Sequence, residues 1–497
     1  MDTSNGNDNK SHDPEREAAQ DHERGLPLIS RTAAAGSDHQ TNAPARSMDT
    51  VQFAGFDQHH PPDPELIADC VHCGFCLSTC PTYLLWGEEM DSPRGRIQLM
   101  KMTSEGEIGI NATFTAHIDQ CLGCMACVTA CPSGVQYDKL IEATRPQIER
   151  HYKRSFSDRL FRSFVFSFFP HPARLRAMLP LLWLYQKIGA RRLLRSQKLS
   201  RLMPDRLLGM EAVMPPVSLG ALRSRPATFT RALGPRRRRV GLLLGCVQRV
   251  FFDPVNAATI RVLTAEGCDV VIPPGQGCCG ALSIHSGRED EGLKYARRLI
   301  DTFEAWGVDT VVVNAAGCGS TMKEYAYLLR DDLKYAERAR AFSDSVRDIT
   351  EVLAELEPVA PRHPILLRVA YHDACHLAHA QRVRLQPRKV LRSIPGIEVV
   401  DIPEADICCG SAGIYNLIEP QPANQLGERK ARSILSMHPD VIATANPGCL
   451  LQINSALQRL GEHIPTLHPV ELVDASIRNV MPPELVETKK LTAIKTS

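Results

Sequence analysis

The chain has 497 residues, 43% of them hydrophobic, so it is long enough for about two to four domains. Its net charge is only +2, from 58 basic and 56 acidic residues, so bulk charge argues neither for nor against a nucleic-acid partner, and we expect none. No run of about 18 uncharged apolar residues occurs, and the first residues lack the basic-then-apolar pattern of a secretion signal. We therefore expect a cytoplasmic protein whose 17 cysteines are not paired in disulfides.

Charge is distributed unevenly along the chain. Residues 1–50 carry five Lys/Arg and nine Asp/Glu with almost no apolar periodicity, which predicts a disordered tail. Residues 151–240 carry 20 Lys/Arg and three Asp/Glu, including four consecutive arginines at 236–239. Because the aromatic residues that a single-strand binder needs are absent near this run, we interpret it as a solvated linker.

Two groups of four cysteines share the spacing C-x2-C-x2-C-x3-C-P, in the segments CVHCGFCLSTCP and CLGCMACVTACP. This is the spacing of two-cluster bacterial ferredoxins, in which the fourth cysteine of each motif ligates the other cluster. A pair of zinc sites would need two separated C-x2-C units instead, which fits poorly. The predicted ligands of the first [4Fe-4S] cluster are Cys70, Cys73, Cys76 and Cys131. Those of the second are Cys121, Cys124, Cys127 and Cys80.

The sequence around these motifs predicts helices rather than strands. Asp63-Pro64 and Ser92-Pro93 are typical of an N-cap followed by the first helical residue. We therefore expect a helical two-cluster domain over residues 60–150. Arg94 and Arg96, in DSPRGRI, either neutralise cluster charge, face a partner, or only solvate the start of a helix.

The remaining half of the chain contains an internal repeat. The first copy has Cys246, Cys278, Cys279 and Cys318, and the second has Cys375, Cys408, Cys409 and Cys449. The offsets are 129, 130, 130 and 131 residues, and each Cys-Cys pair is followed by glycine. Such a constant register indicates a duplication. We place the first copy at 239–350 and the second at 366–475, joined to the helical domain by a basic, partly apolar segment at 151–238.

Short apolar segments precede these cysteines, and helical stretches such as 289–306 and 424–436 separate them. The predicted strands are 240–244, 269–272, 310–313, 369–371, 397–400 and 441–443. Strands alternating with helices predict a mostly parallel sheet, and ligands gather beyond the carboxyl ends of such strands. The fold class is therefore α+β multidomain, with a helical two-cluster module followed by a duplicated α/β domain. Each copy should gather four thiols. These thiols either bind a further cluster, bind zinc, or bind no metal.

Several other features carry weaker signals. Gly275–Gly280 fits the dinucleotide pattern G-x-G-x-x-G, but Ala405 and Ile407 replace two of its glycines in the second copy, so we expect no nucleotide and no flavin. His285, His376 and Asp373 lie near the cysteines, and we interpret them as supporting or core residues rather than ligands. Cys268 is expected to be a small buried hydrophobic residue.

The motifs together resemble one family. CVHCGFCLSTCPTY, DSPRGRI, CLGCMACVTACPSGV, the two Cys-Cys-Gly segments and TANPGC are similar to the iron–sulfur subunit of bacterial glycolate oxidase (glycolate dehydrogenase), over about residues 65–465. Related subunits serve lactate and anaerobic glycerol-3-phosphate oxidation, and similar segments occur in heterodisulfide reductases. The family's Cys-Cys-Gly pattern ends in C-x2-C, but Ala315 and Asn446 stand at the first of those positions here.

The resemblance implies an electron-transfer subunit. FAD-binding partner subunits would oxidise glycolate to glyoxylate, and this chain would pass the electrons to a quinone or another acceptor. The alternatives are a subunit of a lactate or glycerol-3-phosphate dehydrogenase, or a thiol–disulfide reductase acting at the Cys-Cys-Gly sites. Residues 156–190 contain apolar stretches interrupted by Pro170, Pro172 and Pro180, and we expect them to pack between domains or to lie on the cytoplasmic membrane surface.

Overall fold

A computed structural model describes residues 55–189, 203–217, 219–222, 225–482 and 485. The chain divides into two units, Met1–Thr50 and Val51–Ser497. The predicted disordered tail lies in the first unit, outside the described residues, so the structural findings concern the second. Among the described helices, none combines the length and the apolar character needed to cross a membrane.

The two ferredoxin-type motifs lie in a helical region. Its helices are Pro64–Ala68, Pro81–Trp86, Pro93–Ser104, Ala112–Asp119, Ala126–Ala130 and Tyr137–His151, with 3-10 turns at Leu77–Thr79 and Glu89–Asp91. Two begin where the sequence predicts: Asp63 caps the first through Glu65 N (2.9 Å), and Ser92 caps the third through Gly95 N (3.0 Å). The core between them is formed by residues such as Met100, Ile118, Leu140 and Ile141.

The connecting segment packs against the duplicated half. It forms the helices Phe156–Phe168, Pro172–Lys187 and Asp205–Ala212 and the 3-10 turn Leu219–Leu222. Val165 and Phe166 pack with Ile414, and Leu179 packs with Val250. Pro172 starts its helix, but the helix continues through Pro180, so that proline does not end it as the sequence suggested. The packing interpretation of this segment is therefore correct for its buried face.

The duplicated half contains two sheets. The strands are β1 (Phe229–Thr230), β2 (Arg238–Leu242), β3 (Cys268–Val271), β4 (Thr310–Val313), β5 (Val346–Asp348), β6 (Leu367–Tyr371), β7 (Ile397–Asp401), β8 (Val441–Ala443) and β9 (Thr466–Leu467). The first sheet has the order β1-β3-β2-β4-β5 and the second β7-β6-β8-β9. All pairings are parallel except that of β1 with β3, which confirms the predicted α/β class. Arg238 and Arg239 already belong to β2, so the solvated linker is shorter than expected.

Helices connect the strands in both copies. They are Gln248–Phe251, Asp253–Ala265, Ala281–Ile284, Glu289–Glu304, Ala316–Lys323, Tyr325–Leu328, Ala336–Ser345 and Ile349–Glu355 in the first half of this region. In the second half they are the π-helix His376–Ala380 and the α-helices Leu385–Arg392, Tyr415–Ile418, Pro420–Leu435, Pro447–Arg459 and Pro469–Arg478. The predicted helices at 289–306 and 424–436 are therefore confirmed within a few residues.

The two sheets share one hydrophobic core. Val240 and Val270 from the first copy cluster with Val369 and Val441 from the second, and all four are fully buried. Cys268, the first residue of β3, belongs to this core and is also fully buried. Because the copies pack on each other through one core, the loops after their strands are held in a fixed relation.

Candidate iron–sulfur site

The first ferredoxin-type loop is curled by backbone with positive φ. His72 and Gly74 have φ of 54° and 88°, and Gly123 and Met125 repeat the pattern in the second loop at 62°. This bending turns three successive cysteines toward one point. Cys70 and Cys76 are partly buried and Cys73 is exposed, so this loop lies at the surface.

The fourth cysteine of each motif lies beside the other motif. Burial raises the pKa of the Cys70 thiol, and the neighbouring Cys131 and Cys73 raise it further, which places Cys131 with the first loop. Cys80 lines one small cavity together with Cys121, Cys124 and Cys127. The structure thus brings together each set of four cysteines that the spacing suggests, and four convergent thiols fit a cubane cluster. That these particular cysteines are the cluster ligands stays a prediction.

A buried arginine lies next to the second set. Arg96 is 1% exposed and its guanidinium donates to Asp91 O (2.5 Å) and to Thr82 Oγ1 (3.2 Å), while Thr82 Oγ1 lies 3.2 Å from Cys80 Sγ. Burial opposes the thiolate of Cys121, but the charges of Arg96 and Arg145 outweigh it and lower the pKa of that thiol. Of the three roles open for Arg96, the structure therefore selects charge neutralisation. Thiolates are the form that binds iron.

Arg94, two residues earlier, has a different environment. Its Nε donates to Glu89 Oε1 (2.6 Å) and its NH1 to His72 O (2.8 Å), so it braces the first loop from the partly exposed side of the helix. Gly95 between the two arginines has a tight fit, because a Cβ there would lie 1.9 Å from Glu89 O. The segment PRGRI is thus a support for both cysteine sets.

The four cysteines of each repeat copy form a chain of touching thiols. The thiol of Cys246 lies next to that of Cys278, the thiol of Cys278 next to that of Cys279, and the thiol of Cys279 next to that of Cys318. The second copy repeats the chain with Cys375, Cys408, Cys409 and Cys449. Hydrogen bonds between these thiols and burial raise the pKa values of Cys246 and Cys375 well above the usual range. The predicted convergence of four thiols per copy is therefore present.

The glycine after each cysteine pair has a steric reason. Gly280 and Gly410 have φ of 85° and 86°, and an added Cβ would lie 2.9 Å from Gly292 O in one copy and 2.6 Å from Ala423 O in the other. Gly275 also has positive φ, but a Cβ there would meet no atom within 4 Å. This explains why the second copy keeps the glycine of Cys-Cys-Gly and has alanine in place of Gly275.

All eight repeat cysteines line one cavity of about 290 Å³. Its outer wall is apolar and comes from the connecting helices through Phe164, Phe168, Leu175, Met178 and Leu182. A cation accompanies each thiol group: the half-buried Arg249 lies near Cys246 and Cys278, and the buried Lys430 lies near Cys408 and Cys409. Thiols next to fixed positive charge suit an anionic metal–sulfur group.

The predicted polar candidates fall into two groups. His285 and His376 line the cavity with their rings 4.9 Å apart, but His285 Nδ1 lies 2.9 Å from Glu142 Oε1 and His376 Nε2 lies 2.9 Å from Gly123 O. Burial lowers the pKa of His376 to about 4. Asp373 forms an ion pair with Arg388 (2.6 Å). These contacts agree with a supporting role.

One histidine near the thiols was not among the residues predicted from the sequence. His372, directly after β6, has a ring nitrogen within 4.8 Å of the sulfur atoms of both Cys409 and Cys449, and it is 1% exposed. Burial lowers its pKa well below the usual value. The available signal was the spacing H-x2-C that it forms with Cys375 at a strand end.

The second ferredoxin-type loop touches the second repeat copy. Leu122, Cys124 and Ala126 cluster with Cys408 and Tyr415, and Cys375 packs against the same cluster. After burial, the neighbouring Cys375 thiol is the next cause that raises the pKa of Cys124. The cysteines of the helical region and of the second copy are therefore in direct proximity, with no intervening layer of side chains.

Comparison with known proteins assigns family descriptions to each part. "4Fe-4S dicluster domain" matches residues 66–135, "Glycolate oxidase iron-sulfur subunit, linker region" matches 157–214, and "Cysteine-rich domain" matches 240–323 and 369–454. The last two ranges coincide with the two copies of the internal repeat.

Relatives match nearly the whole described chain. The probable glycolate oxidase iron–sulfur subunit of Bacillus subtilis is 41% identical over 80% of this chain and 90% of its own length. The glycolate oxidase iron–sulfur subunit of Escherichia coli is 37% identical over 79% and 90%. Lactate utilization protein A of Bacillus licheniformis is 30% identical, covering 48% of this chain and 99% of that protein. The chain therefore belongs to the family of glycolate oxidase iron–sulfur subunits and carries electrons through bound [4Fe-4S] clusters.

Proposed function

We propose that this chain is the subunit of a glycolate-oxidising complex that carries single electrons from FAD-binding partner subunits to a quinone. The observation that carries the proposal is the unbroken series of cysteine sets, from the exposed first loop to the cavity between the repeat copies. [4Fe-4S] clusters, when bound by these cysteines, accept and release one electron at a time.

Electrons enter at the first loop. Cys73 is exposed there, and Val71 and Phe75 on either side of it are 67% and 66% exposed. Apolar side chains at a surface cysteine loop suit a protein interface. We infer that the FAD-binding subunit contacts this loop. Val71→Asp should weaken co-purification of the partner, whereas Leu333→Asp, at a fully exposed leucine of the first copy, should not.

Electrons leave through the repeat. Cys124 and Cys408 belong to one group of packed, buried side chains, so the second ferredoxin-type set adjoins the second copy rather than the solvent. The second copy opens on the cavity of about 290 Å³, whose apolar wall suits the ring of a quinone. We infer that Cys246, Cys278, Cys279 and Cys318, and Cys375, Cys408, Cys409 and Cys449, hold two further metal groups at this exit.

The outer face of the connecting helices suits a lipid surface. Phe156, Leu160, Leu181, Leu184 and Ile188 are between 47% and 74% exposed on the helices that wall the cavity or at their ends. We infer peripheral contact with the cytoplasmic face of the membrane, where a quinone is available. The double variant Leu181→Glu with Leu184→Glu should bind less to anionic vesicles in co-sedimentation and should reduce quinone more slowly. Its reduction of a soluble dye should be unchanged.

The primary test uses the complex purified anaerobically from its native host. Glycolate should produce the signals of reduced [4Fe-4S] clusters in electron paramagnetic resonance (EPR), and D-lactate should produce them more slowly. The control is the same complex with dithionite, which reports every reducible cluster. Clusters that dithionite reduces but neither acid reduces, in a preparation that contains the flavin subunits, would refute the substrate assignment.

A second candidate function is thiol–disulfide reduction, favoured by the eight thiols that line one cavity. Cys279→Ser and Cys409→Ser separate the two functions. Electron transfer through the repeat predicts that each substitution abolishes glycolate-dependent quinone reduction but leaves the two ferredoxin-type EPR signals. A reductase would instead turn over a disulfide in the wild-type complex and lose only that activity.

A further inference from the structure

The second repeat copy contains a buried histidine, a possible metal ligand, that the first copy lacks. His372 follows β6 immediately, and its backbone N–H donates to Ala443 O (2.8 Å), which ties the residue to the end of β8. The side chain is 1% exposed. The position is therefore fixed by the sheet itself rather than by a loop.

The ring of His372 lies beside two of the thiols, and one of its nitrogens is unpartnered among the described residues. Nδ1 is buried and has no hydrogen-bond partner within the described part of the chain. A ring nitrogen and the sulfur atoms of Cys409 and Cys449 all lie within 4.8 Å of one another. Leaving a buried nitrogen unpartnered costs free energy, so a ligand on that atom would remove a penalty as well as make a bond.

The duplication shows that this arrangement is specific to one copy. The residue equivalent to His372 in the first copy is Leu243, which is equally buried but has no donor atom. The family's Cys-Cys-Gly pattern has a fifth cysteine three residues before the last one. In the first copy this position holds Ala315. In the second copy this position holds Asn446, which has no sulfur, and its Nδ2 donates to Cys449 Sγ (3.4 Å).

We propose that His372 is a nitrogen ligand of the metal group held by the second copy, bound at the same metal ion as Cys409 and Cys449. The inference rests on the proposed function, because it requires that the second copy binds such a group. The first copy then offers four thiols only, and the second offers four thiols and an imidazole.

The test measures ligation directly. The complex is purified anaerobically from a histidine-auxotrophic host supplied with ¹⁴N- or ¹⁵N-histidine, poised over a range of potentials, and examined by pulsed EPR for nitrogen hyperfine coupling. We expect one strong coupling that changes isotope with the label and disappears in His372→Leu, the variant that copies the first repeat. Coupling that persists in His372→Leu would overturn the inference.

Metal content gives a second readout that does not need a paramagnetic state. Iron, zinc and acid-labile sulfide are measured per chain for the wild type, His372→Leu, His372→Cys and Cys409→Ser. We expect partial loss of metal in His372→Leu, because the four remaining thiols match the set of the first copy, and recovery in His372→Cys, which restores a donor. Full metal content in His372→Leu would refute the role of His372.

Cys409→Ser separates the inference from the proposed function. If its metal content equals that of the wild type, the second copy holds no metal group and the exit proposed above is wrong. If Cys409→Ser loses metal and His372→Leu does not, the exit stands and only the histidine ligand is refuted. His376→Leu is the matched control, since His376 lines the same cavity but its Nε2 is engaged by Gly123 O, and it should keep full metal content.

Discussion

Arg96 offers the sharpest test of how the fold tunes the second ferredoxin-type set. Its guanidinium is enclosed and is separated from Cys80 Sγ by the single hydroxyl of Thr82, which lies 3.2 Å from each. At about 6 Å and an effective dielectric constant of about 20, two unit charges interact by about 3 kcal/mol. For a one-electron couple this corresponds to ~120 mV. Because the cluster's charge is spread over several atoms, we expect Arg96→Gln to lower the potential of one ferredoxin-type signal by about 60–120 mV.

The substitution also has a cost in stability. Arg96 NH2 pairs with Asp91 Oδ1 at 3.3 Å, and breaking a buried ion pair costs about 3–5 kcal/mol. Asp91 keeps a second partner, since His117 Nδ1 lies 2.9 Å from the same oxygen, so the loss should be at the lower end of that range. Arg96→Lys serves as the second variant, because it keeps the charge while losing the forked hydrogen bonds.

The assay is a redox titration followed by EPR on the anaerobically purified complex. Arg94→Gln is the matched control: it lies on the same helix but beside the first loop, where its NH1 donates to His72 O, and it should leave the second set's potential unchanged. A change below about 20 mV in an Arg96→Gln protein with full iron content would contradict the electrostatic argument. Equal shifts in Arg96→Gln and Arg96→Lys would also contradict it, since they would show that geometry rather than charge sets the potential.

Three further predictions concern other parts of the fold. Tyr137→Phe removes the hydroxyl that donates to Cys121 Sγ (3.4 Å); at about 1 kcal/mol for the hydrogen bond, the potential of the second set should fall by ~40 mV, and an unchanged titration would show that the bond is not made. Gly410→Ala should cost at least about 2 kcal/mol more unfolding free energy than Gly275→Ala in chemical denaturation, because only the first places a Cβ against backbone (2.6 Å from Ala423 O); equal losses would rule the clash out. His468 is buried in its neutral form, and burial lowers its pKa to about 3. The pKa of a histidine in the unfolded chain is near 6.5, so between these two values only the unfolded state binds the proton, and stability falls as pH falls. The loss should be about 2 kcal/mol between pH 7 and pH 5, and His468→Asn, which keeps an N-cap acceptor but does not titrate, should show that much less acid destabilisation.

Much of the fold follows from local sequence signals. Asp63-Pro64 and Ser92-Pro93 begin helices because a capping oxygen and a proline satisfy the first helical turn without help from the rest of the chain. Strands 310–313 and 441–443 are found at the predicted residues, since a short apolar segment before a cysteine loop has few other ways to be buried. Strands β1, β5 and β9 were not predicted, because two or three residues carry too little pattern and owe their pairing to neighbours distant in sequence.

Ligand spacing and a constant repeat offset are enough to assign the cysteines to sets, because both can be read along the chain. The surroundings of each set depend on how distant parts of the chain fold together. The burial of Arg96 beside Cys80 and Cys121, the meeting of Cys124 with Cys408, and the approach of His372 to Cys409 and Cys449 join residues far apart in the chain. Charge, proximity and an unpartnered nitrogen act through space, and no spacing rule along one chain encodes them.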